Sequence, residues 1–103
     1  YRFIEGVKMT KEIDEILKER GGTYGSFDDI ALITQQIEYV ISKANKNYET
    51  LSSTHREAFH MIFQKIARLV CGDPYHLDSI VDIVGYATLL KNHIENKNEK
   101  SKE

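Results

Sequence analysis

The sequence predicts an all-α fold, a small helical bundle of three substantial helices plus a short N-terminal helix. Three observations carry this expectation. Apolar residues recur at intervals of three and four, residues suited to starting and stopping helices bracket those runs, and no segment shows the apolar-polar alternation of a half-buried strand.

The first helix starts at Thr10, with Ile13, Ile16 and Leu17 at helical spacing, and Gly21-Gly22 stands where a C-terminal glycine stop belongs. Arg20 to Ser26 holds three glycines and reads as a tight loop, after which Ser26-x-x-Asp29 gives a helix start signal. In the second helix Ile30, Ile33, Ile37, Val40, Ile41 and Ala44 make the longest clean amphipathic stripe, ended by Asn45-Lys46-Asn47. That stripe has enough apolar surface to leave some for another chain, so a homo-oligomer is expected. A connection over residues 47–53 leads to Thr54-His55-Arg56-Glu57, a capping box opening a third helix that reaches Cys71 and is broken by Gly72-Asp73-Pro74. The fourth helix, from about His76 to Ile94, stacks Leu77, Ile80, Val81, Val84, Ala87, Leu90 and Ile94 on one broad face. Met9 is a candidate internal initiator, which makes residues 1–8 a flexible N-terminal extension, 9–95 a single helical domain and 96–103 a disordered polar tail.

Composition narrows the function classes. At 41% hydrophobic and 29% charged, the 103 residues hold too much apolar content for a disordered chain. Fourteen Lys and Arg against sixteen Asp and Glu give a net charge of -2, so no overall basic field attracts nucleic acid or an anionic membrane. No apolar run approaches the roughly 18 residues needed to cross a bilayer, and residues 1–8 are too short and too polar for a signal peptide. The lone Cys71 can form no intramolecular disulfide, which fits the cytoplasm.

Polar residues gather in two places. On the third helix Glu57, Met61, Gln64, Lys65 and Arg68 are read as one side, opposite Ala58, Ile62, Ile66, Leu69 and Val70. Either this is an anion site in which Lys65 and Arg68 hold phosphate oxygens while Glu57 takes a metal or activates water, or it is a solvated side with ordinary helical ion pairs. On the fourth helix Asp78, Asp82 and Tyr86 follow at i, i+4 and i+8, with His93 on the same side. Two carboxylates one turn apart can share Mg²⁺ or Mn²⁺, whose natural companion is a phosphate ester or anhydride; Asp78 equally suits the positive end of a helix dipole. Asp82, between Val81 and Ile83, is expected to lie deeper and to need a partner, Lys65 or Arg68.

The glycine loop with Ser26 and Tyr24 offers backbone N–H groups to an anion but lacks the Lys and spacing of a P-loop; a compact turn with Tyr24 and Phe27 packed on the bundle is the plainer reading. His55, His60, His76 and His93 form no zinc pattern, and Cys71 reads as an ordinary thiol.

Taken together, Glu19-Arg20-Gly21-Gly22-Thr23-Tyr24-Gly25-Ser26-Phe27, the Lys65-Ile66-Ala67-Arg68 run, Gly72-Asp73-Pro74 and Asp82-Ile83-Val84-Gly85-Tyr86 resemble a family of small phage and prophage proteins, over roughly residues 13–90. That resemblance implies a phage origin, and hence the cytoplasm of a host cell, but no activity. More distantly, the chain is similar to MazG-like all-α nucleotide pyrophosphohydrolases, which oligomerise and hold Mg²⁺ through E-x-x-E on one helix and E-x-x-D on the next. Glu57 and His60 stand in the first pattern here, Ser79 and Asp82 in the second, with Asp78 in reach as a substitute acid. The resemblance implies a nucleotide ligand, Glu57 and Asp82 as catalytic residues, Glu57, Asp78 and Asp82 as Mg²⁺ (or Mn²⁺) ligands, and Lys65, Arg68, Tyr86 and Tyr24 as ligand contacts. The competing expectation is a non-enzymatic phage interaction protein that binds a host protein or a small signalling molecule.

Overall fold

The computed structural model describes the backbone of residues 10–102 and the side chains of residues 12–99. The expected N-terminal extension over residues 1–8 therefore lies outside the described residues. Five helices and no strand make up what is described, so the fold is an all-α small bundle: α1 (Thr10–Tyr24), α2 (Phe27–Ala44), α3 (Asn47–Thr50), α4 (Ser53–Cys71) and α5 (Leu77–Lys102).

Several boundaries differ from expectation. Gly21-Gly22 does not stop α1, which runs 15 residues to Tyr24. Helical glycine costs only about 1 kcal/mol against alanine, and the last turn it admits docks on the end of α4. The stop is Gly25, at φ +87, whose N–H bonds the Gly21 carbonyl at 2.8 Å. The glycine-rich loop thus shrinks to Gly25 and Ser26. Ser26 caps α2 as expected, but α4 begins earlier than the Thr54–Glu57 box: Ser52 is the cap, its Oγ accepting from the His55 N–H at 3.1 Å. Helix α5 continues past Ile94 to Lys102, since neither Gly nor Pro follows Gly85 to end it, and a Lys91–Glu95 pair at 2.7 Å supports its exposed polar end.

Helix α4 is central, with α5 on one flank and α2 on the other; no comparable packing joins α2 to α5. Both flanking helices run antiparallel to α4, as the pairs Lys65–Asp82 and His55–His93 show on one side and His60–Glu38 and Cys71–Gly25 on the other. The buried apolar residues are small or few: Ile30, Ala58, Ala67 and Leu90, joined by Thr34, Lys65 and Ser79. Small side chains at Ala58, Ala67 and Ser79 let the axes approach.

Of the apolar face expected of α5, only Leu90 is buried. Ser79 and Leu90 are buried, with Ile83, Tyr86 and His93 half-buried on the same stripe, whereas Leu77, Ile80, Val81, Val84 and Ile94 are exposed, Val84 to 60%.

At its C-terminal end α4 meets the α1–α2 turn backbone to backbone. A Cβ on Gly72 would sit 2.2 Å from the Thr23 carbonyl oxygen, and one on Gly25 2.4 Å from that of Cys71. The Asp73 N–H donates to the Thr23 carbonyl at 2.7 Å. The Tyr24-Gly25 and Gly72-Asp73-Pro74 motifs, far apart in sequence, are therefore the two halves of one clasp.

Candidate functional site

Among the described residues Lys65 is the one buried charged side chain. Its side chain is only 10% exposed, and its Nζ lies 3.1 Å from Asp82 Oδ2. The expectation that Asp82 pairs with Lys65 is met, but the buried member is the cation: the Asp82 side chain is 49% exposed. Seven residues after Ala58, Lys65 returns to the same side of α4 as that alanine, so it belongs to the helix contact and not to the solvated side. A desolvated ammonium is stable there because α5 brings a carboxylate to it.

One turn further on, Arg68 lies over the Tyr24 ring, its guanidinium carbon 4.7 Å from the ring centre. His76 meets the same ring edge-on at 5.0 Å. Tyr24 reaches both because the glycine clasp fixes the end of α1 against α4. No carboxylate among the described residues pairs with Arg68. The His76 Nε2 is buried and has no hydrogen-bond partner among them. His76 was not singled out from the sequence; its position just after Gly72-Asp73-Pro74-Tyr75, at the foot of α5, is the signal that points to it.

The acids expected to share a metal do not meet. Antiparallel packing sets Asp82 level with Lys65, and Asp78, one turn back, level with the last turns of α4. Glu57 is exposed eight residues before Lys65, roughly 12 Å along the helix axis from the level of Asp82 and farther from Asp78. Among the described residues no three His, Cys, Asp or Glu side chains come together as a metal-holding group. The trio Glu57, Asp78 and Asp82 is thus not assembled within one chain; only Asp78 and Asp82 are neighbours. Tyr86, half-buried one turn beyond Asp82, lines a shallow groove on α5 with Val81, Gly85 and Leu89.

Three residues act elsewhere. The His60 Nδ1 pairs with Glu38 Oε1, tying α4 to α2. His55 takes a 2.6 Å bond between its Nδ1 and Ser52 Oγ at the start of α4. The Cys71 thiol is pushed up from its ordinary range by burial and, secondarily, by the negative charge of Asp29, which makes it a poorer nucleophile at neutral pH.

Residues 8–94 match the model of a family described as a domain of unknown function, DUF6378. The chain belongs to that family. The matched span includes the clasp, the Lys65–Asp82 pair and the Arg68–Tyr24–His76 cluster. No curated protein and no solved structure matches the chain. No described helix is long and apolar enough to cross a membrane.

Proposed function

We propose that this DUF6378 member binds a phosphate-bearing small molecule of nucleotide type on the polar side of the α4–α5 pair. The observation that carries the reading is Arg68: its guanidinium lies over the Tyr24 ring, one turn from Lys65, and no described carboxylate pairs with it. A guanidinium over an aromatic ring still offers N–H groups to the two oxygens of a phosphate, and the ring contact limits its freedom before the ligand arrives. Lys65, screened by Asp82, adds positive charge nearby, and Tyr86 offers a ring and a hydroxyl to the rest of the ligand. Where Mg²⁺ accompanies the nucleotide, Asp78 and Asp82 are the carboxylates that would hold it, because Mg²⁺ commonly takes one or two carboxylates and fills its shell with water and phosphate oxygens.

Binding is proposed ahead of pyrophosphate hydrolysis. Catalysis of the MazG-like kind calls on Glu57 together with the α5 acids, and one chain keeps Glu57 roughly 12 Å from the level of Asp82. A phage origin and a host cytoplasm are consistent with this reading and belong to the same proposal.

Isothermal titration of nucleoside mono-, di- and triphosphates, with and without Mg²⁺, tests it. Wild-type protein is expected to bind at least one of them, and Arg68→Ala to weaken that binding by about tenfold to a hundredfold, as for loss of a charge-assisted bond. Asp82→Asn is expected to remove the Mg²⁺ dependence. Heat released by none of the nucleotides on the wild type ends the proposal.

A further inference from the structure

The three long helices form an open layer: α4 packs on α2 and on α5, and those two share no comparable packing. A helix layer has two wide sides. With both flanking helices antiparallel to α4, a rotation of 100° per residue carries Val40 of α2, Ile66 and Val70 of α4, and Ile80 and Val84 of α5 to one side. The same rotation carries Arg68, Asp78 and Asp82 to the other, where Tyr24 of α1 covers Arg68. The five apolar residues are 65%, 38%, 69%, 44% and 60% exposed, in the order named.

We propose that this apolar side is the interface at which a second copy of the chain packs, layer on layer. Three features of the face select a second copy. The five residues are uncharged, so this patch meets itself across a twofold axis without like-charge repulsion, and the charges that the same rotation adds toward its ends, Asp29 and Lys91, are of opposite sign. Three helices about 10 Å wide along the roughly 28 Å of α4 present on the order of 800 Å² per copy, or about 1,600 Å² in the pair, the size of a stable interface. Finally, among the described residues no large side chain is fully buried and only four apolar residues are buried. A domain of this length normally closes two layers around its core, and the second copy supplies the missing one. The pairing turns the Arg68 side outward and does not depend on any ligand bound there.

Sedimentation equilibrium of the full chain tests the inference, with Val84→Glu and Val70→Glu on the proposed face and Leu32→Glu as a control. Leu32 is 57% exposed and points away from α4 on the outside of α2. Wild type is expected at twice 11.9 kDa. Each face variant is expected to raise the dissociation constant at least roughly a hundredfold with helical circular dichroism retained, since each buries an unpaired charge, and Leu32→Glu is expected to leave the dimer intact. Wild type at 11.9 kDa at about 100 µM overturns the inference, and so does a dimer indifferent to both face variants. Should the variants lose helix, hydrogen exchange of wild type on dilution decides: protection falling around residues 66–70 and 80–84 supports the interface, and unchanged protection there refutes it.

Discussion

The two ends of α4 are fastened in opposite ways. At the C-terminal end the main chain does the work: Gly72 and Gly25 let α4 and the α1–α2 turn approach until a methyl group no longer fits, and one 2.7 Å hydrogen bond from Asp73 to Thr23 crosses the contact. At the N-terminal end side chains do it. Ser52 caps the helix and bonds His55, whose ring stands edge-on to His93 of α5 at 5.7 Å, and Arg56 reaches the carbonyls of Tyr48 and Glu49 across α3, at 3.3 and 2.7 Å. A backbone contact tolerates no substitution by volume; a side-chain contact degrades by degrees. The end closed by backbone contact is also the one that carries Arg68, Tyr24 and His76, so the parts of the proposed ligand site stand beside a close main-chain approach.

That contrast can be broken directly. Gly72→Ala puts a Cβ against the carbonyl of Thr23 and the backbone of Tyr24, with no flexible side chain to yield. It is expected to cost more than about 3 kcal/mol, visible as a collapse of the denaturation midpoint and loss of near-ultraviolet Tyr24 dichroism. Gly22→Ala is its counterpart. Gly22 lies in the same stretch but inside helix α1, with nothing within 4 Å of the added methyl, so stability is expected to rise by roughly 0.5–1 kcal/mol. Equal destabilisation by both would show that the clasp is not the reason for the glycines. The N-terminal end should answer more mildly: Ser52→Ala removes the cap and the partner of His55 together and is expected to cost about 1 kcal/mol in urea denaturation. A cost as large as that of Gly72→Ala would erase the distinction between the two ends.

The same contrast explains what the sequence could disclose. Helical class followed from periodicity, and the Ser26 cap from its local pattern, because both are local signals. The Lys65–Asp82 pair was partly legible: the need of Asp82 for a partner followed from its neighbours, but which member is buried depended on the rotation of Lys65 toward Ala58, one heptad before it. Gly21-Gly22 misled because a glycine stop and a helical glycine look alike until a neighbouring element decides between them. The clasp joins residues 23–25 to residues 71–73 through main-chain atoms, and no side-chain pattern announces such a contact. Helix α5 misled for a related reason. Its apolar face reaches the inward stripe only at Leu90; within one chain the rest of that stripe is Ser79, Ile83, Tyr86 and His93, whose small or polar members suit a close approach to α4.

The smallest effect expected at the clasp is a titration. Cys71 closes α4 against Gly25, and burial together with Asp29 raises its thiol above the ordinary value of about 9.0. A raised folded value means the native state holds the proton more tightly than the unfolded chain does. Stability from this group is therefore complete below about pH 9 and declines as pH rises from the unfolded value through the folded one. Alkylation by iodoacetamide reports the same shift kinetically. At pH 8 Cys71 should react more slowly in the folded protein than in urea, and the rate should keep climbing beyond pH 9, where an ordinary thiol levels off. Replacing Asp29 with Asn should bring the onset of reaction to lower pH by only part of the difference, because burial is the larger cause and the charge the smaller one. If Asp29→Asn restores ordinary thiol behaviour entirely, the order of those two causes is reversed, and the end of α4 is held less tightly from water than the clasp geometry requires.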